Sequence, residues 1–245
     1  MFALFFAFVF VTAAYAANDI PFYIRLCGRN SPNDVYGQCI KDNINNVKNT
    51  ICSQGLPEFN VSPLEPIIID KIVVYDRDSL KLIVTDAKVR DFCDLDITFI
   101  NVHGDKLRFE AGALIKHITV DATYDFDIQL LVSLAHKGLI HVTTDDLGVK
   151  LEVQLKEVTK NNKTQMYISK TKSQIDITKY TFQFDDEKEG LGQLHDILTK
   201  TINDNAKEII NKIKPSLELA LSKTFMSVYN KVIYNRFEQL FPDEV

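Results

Sequence analysis

The chain has 245 residues, 46% of them hydrophobic and 25% charged, a balance that excludes disordered, collagen-like and multi-span membrane classes. Its 28 Lys+Arg stand against 33 Asp+Glu, a net charge of -5, so nothing chain-wide attracts nucleic acid or anionic lipid and no nucleic-acid partner is expected.

The first 16 residues are apolar except for Thr12 and carry no charged side chain. They end in Ala14-Tyr15-Ala16, which satisfies the small-x-small cleavage rule, so residues 1–16 are predicted to be a signal peptide. The run falls short of the roughly 18 to 20 residues that span a bilayer. A secreted, extracellular chain with one domain over 17–245 and no stable membrane insertion is therefore expected.

Export makes disulfides the default reading of Cys27, Cys39, Cys52 and Cys93. The turn-rich segment Gly28–Asp34 can fold back and join Cys27 to Cys39. Cys52 and Cys93 are left to pair with each other or to remain buried thiols. With no CxxC and scattered histidines, no metal site is expected. Asn60 and Asn162 head sequons and are glycosylation candidates.

Val35, Ile40, Ile44, Val47 and Ile51 recur at helical spacing until Gly55 and Pro57, which predicts a short amphipathic helix. From about Pro66 to Phe184 the period becomes two. Leu107, Phe109, Ala111 and Ala113 share one strand face, and Ile118, Val120, Ala122, Tyr124, Phe126 and Ile128 continue an alternation against Thr119, Asp121, Thr123, Asp125 and Asp127. Turns are expected at 76–78, 103–105, 145–148 and 161–162. The pattern predicts a long antiparallel sheet with one wet face.

Helical spacing returns from Leu194 to about Leu240, with a stripe that includes Leu198, Ile202, Ile209, Ile213, Leu217 and Leu221. One straight helix of this length would run about 70 Å, too long for a compact globule of about 17 Å radius of gyration. Pro215 is the expected break. Sheet and helix bury their apolar faces if the sheet curls around the helix, an α+β architecture. Where side chains are small, as at Ala111 and Ala122, such a wrap leaves elongated apolar space for a ligand.

The order Cys27 to Cys39, Ile44, Gly55-Leu-Pro57, Pro63-Leu64-Glu-Pro66 and Ile69, followed by Leu191-Gly192, Asn205-Ala206, Pro215 and Phe225 to Leu240-Phe241-Pro242, resembles the insect takeout and juvenile hormone binding protein family. The resemblance covers the whole mature chain. It implies a long C-terminal helix wrapped by a strongly curved antiparallel sheet of the tubular lipid-binding type, a hydrophobic tunnel, and a Cys27–Cys39 bridge. Lepidopteran hormone carriers of the family have a second disulfide in their C-terminal half. No cysteine here lies beyond Cys93, which places the resemblance with the takeout branch.

On that reading the chain is a monomeric carrier of a small elongated hydrophobic ligand, with no cofactor and with an unidentified receptor as a further candidate partner. Its tunnel is expected to be lined by Leu107, Phe109, Ala111, Ile118, Val120, Ala122, Tyr124, Phe225 and Tyr229, with Ile40, Ile44 and Val47 as the inner face of a gate. A filled core with an interaction or structural role is the alternative. Catalysis has no candidate residues: there is no G-x-S-x-G elbow, no H-E-x-x-H pair and no phosphate loop, and Asp125 and Asp127 fall on the expected wet face.

Overall fold

The change from helical to alternating and back to helical period is the order of elements in the computed structural model, which describes residues 20–77, 80–129, 133–160, 163–185 and 192–245. The expected signal segment 1–16 and the sequon residue Asn162 lie outside these residues.

Helix α1 (Asn33–Ser53) begins after Pro32. It stops before Gly55, whose φ of 76° only glycine adopts without strain and whose added Cβ would lie 2.3 Å from the Val61 carbonyl. Cys27 is bonded to Cys39 across a Cα separation of 5.8 Å, which ties the preceding segment to α1. Cys52 is bonded to Cys93 across 6.4 Å, which ties the end of α1 to the sheet.

Seven antiparallel strands follow: β1 (Ile67–Arg77), β2 (Leu80–Arg90), β3 (Leu95–Val102), β4 (Arg108–Gln129), β5 (Ser133–Lys160), β6 (Lys163–Asp176) and β7 (Tyr180–Phe184). Their order is β1-β2-β4-β5-β6, with β3 beside the first half of β4 and β7 beside β5. Strands β4 and β5 have 22 and 28 residues, about 73 and 92 Å if flat at about 3.3 Å per residue, so the sheet curls.

Alternation switches phase where the strands bend. Inward residues fall two apart and then once three apart, at Ile69 to Ile72, Val84 to Ala87, Ile115 to Ile118, and Thr144 to Leu147. Asp86 and Asp146 sit at two of these steps with φ of 53°, the left-handed conformation that Asp tolerates better than most residues and that increases local twist. The expected turn at 145–148 is therefore a step inside continuous β5. A single left-handed residue re-aims a strand without ending its ladder.

The C-terminal segment forms α2 (Gly192–Asp204), α3 (Ala206–Ile233) and a last short turn, α4 (Phe237–Leu240). The break expected at Pro215 falls at Asn205 instead, and α3 runs through Pro215. Pro215 lies on the exposed side of α3, where its missing hydrogen bond leaves a carbonyl to water rather than to the core.

Edge strand β6 is closed by α3 rather than by another strand. The Ile168 N–H donates to Asn230 Oδ1 at 2.7 Å, and Asn230 Nδ2 donates to the Ile168 carbonyl at 3.2 Å. The Ile175 N–H donates to Glu218 Oε1 at 3.0 Å, and Ser173 Oγ donates to the Glu218 carbonyl at 2.5 Å. At the same end of the molecule the chain termini meet: the N–H groups of Cys27, Arg29 and Asn30 donate to the carbonyls of Leu240, Pro242 and Asp243.

Candidate functional site

The inward side chains divide into a packed half and a hollow half. In the first, Tyr36, Val153, Met166, Phe237 and Phe241 form a buried cluster against which Leu107, Phe109, Phe225 and Tyr229 pack. The rings of Phe225 and Tyr229 stack at 6.0 Å, as their one-turn spacing on α3 requires, and Tyr36 meets Phe109 at 6.3 Å. Burial pushes the Tyr36 and Tyr229 hydroxyls well above the usual phenol range.

The hollow half lies between the concave face of β1, β2, β4, β5 and β7 and the helices α2 and α3. It holds a cavity of about 240 Å³. Among the described residues its wall comprises 32 side chains, none charged, and only Tyr124, Thr144 and Tyr180 bring a polar atom. The reason is the period of the strands: the residues between the wall positions, such as Lys81, Arg90, Asp121 and Asp125, face outward and pair there. Lys81 Nζ lies 3.0 Å from Asp125, and Asp121 is bonded to Arg90 and His141, with Arg90 foremost in holding its carboxyl below the usual range.

Of the expected lining residues, Ile118, Val120, Ala122 and Tyr124 lie on this wall. Leu107, Phe109, Phe225 and Tyr229 do not, because large aromatic rings fill their half of the wrap. Ala111 pairs with Leu151, on the same packed stretch of β4 and β5. Helix α1 lies against β3, where Lys48 Nζ donates to the Leu95 carbonyl, and Ile40 packs on the aromatic cluster while Ile44 and Val47 stay half-buried. None of the three reaches the cavity wall.

The expectation did not include the β1 and β5 residues, and on the helices it named Phe225 and Tyr229 rather than the residues that line the cavity. Ile69, Ile72, Ile140, Val142, Leu198, Ile209, Ile213 and Leu217 all face the cavity. Their signal was the same alternation and helical stripe already visible in the sequence. What was missing was which part of the stripe meets open space.

The three polar wall atoms differ in their bonding. Tyr124 Oη pairs with His136 Nδ1 at 2.8 Å over Gly138, where a Cβ would meet that hydroxyl at 2.9 Å. Thr144 Oγ1 donates to the Lys179 carbonyl at 2.6 Å. The Tyr180 hydroxyl is sealed from water and makes no hydrogen bond among the described residues, and burial raises its pKa. Elsewhere, Cys52, Glu65 and Cys93 converge, but the disulfide consumes both thiols and leaves no thiolate to ligate a metal.

Takeout 1 of Epiphyas postvittana superposes on the structure with a TM-score of 0.67 over 86% of this chain and 95% of that one, at 16% identity, and shares the long curved sheet and C-terminal helix. A lipopolysaccharide binding protein matches with a TM-score of only 0.37 over 66% of this chain and 35% of its own, at 10% identity. No curated protein matches in sequence. The model of the family described as haemolymph juvenile hormone binding protein matches residues 4–242. With nearly its whole length matched and the curved sheet and long C-terminal helix of Takeout 1 present, this chain belongs to the haemolymph juvenile hormone binding protein family.

Proposed function

We propose that the protein is a secreted carrier that binds a small elongated hydrophobic lipid or hormone in the cavity between the sheet and the α2–α3 pair. The observation that carries this reading is the wall itself: an internal space that, among the described residues, has no charged side chain and is far more apolar than a folded chain needs unless something apolar fills it. Ile118, Val120, Ala122 and Tyr124 supply one strip of the contact surface. Burying on the order of 400 Å² of ligand contributes roughly 10 kcal/mol before ordering costs, which leaves micromolar to nanomolar affinity. Binding of this kind is insensitive to moderate salt.

Secretion rests on the cleavable character of residues 1–16 and agrees with two disulfides and with the absence, among the described residues, of a helix long and apolar enough to cross a membrane. Asn60, exposed at the end of its turn, and Asn162 are the candidate glycosylation positions. The test is extraction of natively produced protein with organic solvent, followed by mass spectrometry, beside uptake of the rod-shaped hydrocarbon diphenylhexatriene by delipidated protein. A co-purifying lipid and saturable uptake are expected. No extractable lipid and no uptake would leave the filled-core, structural role.

A further inference from the structure

We infer that the chain pairs with a second copy of itself through the outer edge of β1, antiparallel about the Asp70–Lys71 peptide, and is a monomer only when dilute. The inference is independent of the carrier reading. A strand at the edge of a sheet presents a row of unpaired main-chain groups, which folded proteins cover or blunt. Strand β3 is covered by α1: Asn33 Nδ2 donates to the Val102 carbonyl at 3.2 Å, Lys41 Nζ to the Thr98 carbonyl at 3.5 Å, and Lys48 Nζ to the Leu95 carbonyl. Strand β6 is covered by Asn230 and Glu218 of α3. Among the described residues β1, 11 residues long, has no such cover. Helix α3 meets it through Ile209, Ile213 and Leu217, packed on Ile72, Val74 and Tyr75, and through Lys212 over the Tyr75 ring, and makes no hydrogen bond to its main chain.

The edge is also complementary to itself. Ile67, Ile69, Ile72 and Val74 face inward, while Ile68 and Val73 are 52% and 45% exposed and Asp70 and Lys71 lie exposed between them. The faces are thus mirrored about the step between Asp70 and Lys71. Opposed residues of an antiparallel pair share a face, so a strand with such a step matches a copy of itself in one register. That register sets Asp70 against Lys71 of the second copy, Ile68 against Val73 and Ile69 against Ile72. Shifting it by one or two residues opposes an inward side chain to an outward one.

Charge agrees with shape. On neighbouring β2 the outward Lys81 and Arg90 are paired with Asp125 and Asp121. Asp70 and Lys71 have no ion pair among the described residues, and the dyad supplies each with an opposite charge directly across the ladder. The two exposed apolar residues cover each other twice, once on each side of the axis, as a two-fold interface requires. A contact of one strand's length is small for a stable complex, so a dissociation constant of about 1–100 μM is expected.

The test is sedimentation velocity on the purified protein with both disulfides intact, beside Asp70→Lys, Lys71→Asp and an equimolar mixture of the two variants. Wild type should dimerise in the micromolar range. Each single variant opposes like charges at both dyad positions and should weaken the dimer at least tenfold, with an unchanged melting temperature because both side chains are exposed. The mixture opposes only unlike charges and should recover wild-type affinity as a heterodimer. Hydrogen exchange of β1 should slow between about 1 and 200 μM protein, while that of β6 stays constant. A wild type still monomeric at about 200 μM leaves the edge to another chain or to none, and overturns the inference. A dimer that the single variants leave intact, or a mixture that recovers no affinity, overturns it as well, since either result places the contact elsewhere or in another register.

Discussion

Tyr229 and Tyr36 show how one residue's surroundings become a property of the protein. Burial, joined in Tyr229 by the neighbouring Tyr36, favours the neutral phenol in the folded state and raises both pKa values above the ordinary value of about 10. The folded chain then holds protons that the unfolded chain has already released. Stability from these groups is full below about pH 10 and is lost as pH rises from there toward the folded values. Melting temperatures measured across the alkaline range should fall steeply in wild type and less steeply in Tyr229→Phe. Parallel slopes in the two proteins would show that this ring is not the group that titrates.

At the element scale, the closing of β6 by α3 depends on side chains that reach a strand backbone. The ladder with β5 shifts register between Gln154 and Leu155, next to Ile168, and Asn230 takes both the N–H and the carbonyl of that residue. Asn230→Ala leaves both groups of the buried Ile168 without their partners, so a loss of about 2–3 kcal/mol is expected in denaturant unfolding. Asn230→Asp keeps an acceptor for the N–H but has no donor for the carbonyl, and should fall between the two. An alanine variant as stable as wild type would mean that water satisfies this edge. The same helix explains the position of the break: α3 must stay continuous from Ile209 to Tyr229 to serve the cavity and the aromatic cluster alike, so the chain bends at Asn205, before that span begins.

Across the whole molecule, one wrap of sheet around helix is packed at one end and open at the other, and two alanines on β4 test the division. Ala122 is buried on the cavity wall, where a larger side chain has room to extend. Ala111 faces the packed half opposite Leu151. Ala122→Phe should cut diphenylhexatriene uptake severalfold with little change in melting temperature. Ala111→Phe should instead strain the core by about 1–3 kcal/mol while the folded fraction keeps its uptake. The reverse pattern would put the ligand space in the aromatic half.

How much of this was legible before folding depends on the range of the interaction involved. The period of Ile118 to Tyr124, the helical stripe of Leu198 to Leu221 and the Cys27–Cys39 turn are local patterns, fixed by side-chain direction within a few residues, and they carried the element order, the α+β class and the wet and dry faces. The phase steps at Asp86 and Asp146 were written in the sequence too, but an Asp in the left-handed region bends a strand or ends it according to what the neighbouring strand does. The pairing of Cys52 with Cys93 joins positions 41 residues apart, a separation that no local pattern reaches. Where the wrap is filled and where it is hollow is settled only when rings from α1, β4, α3 and α4 converge in space. Phe109, Phe225 and Tyr229 have the same apolar periodicity as Val120 and Ile213, and only their tertiary neighbours make the first three core and the last two wall.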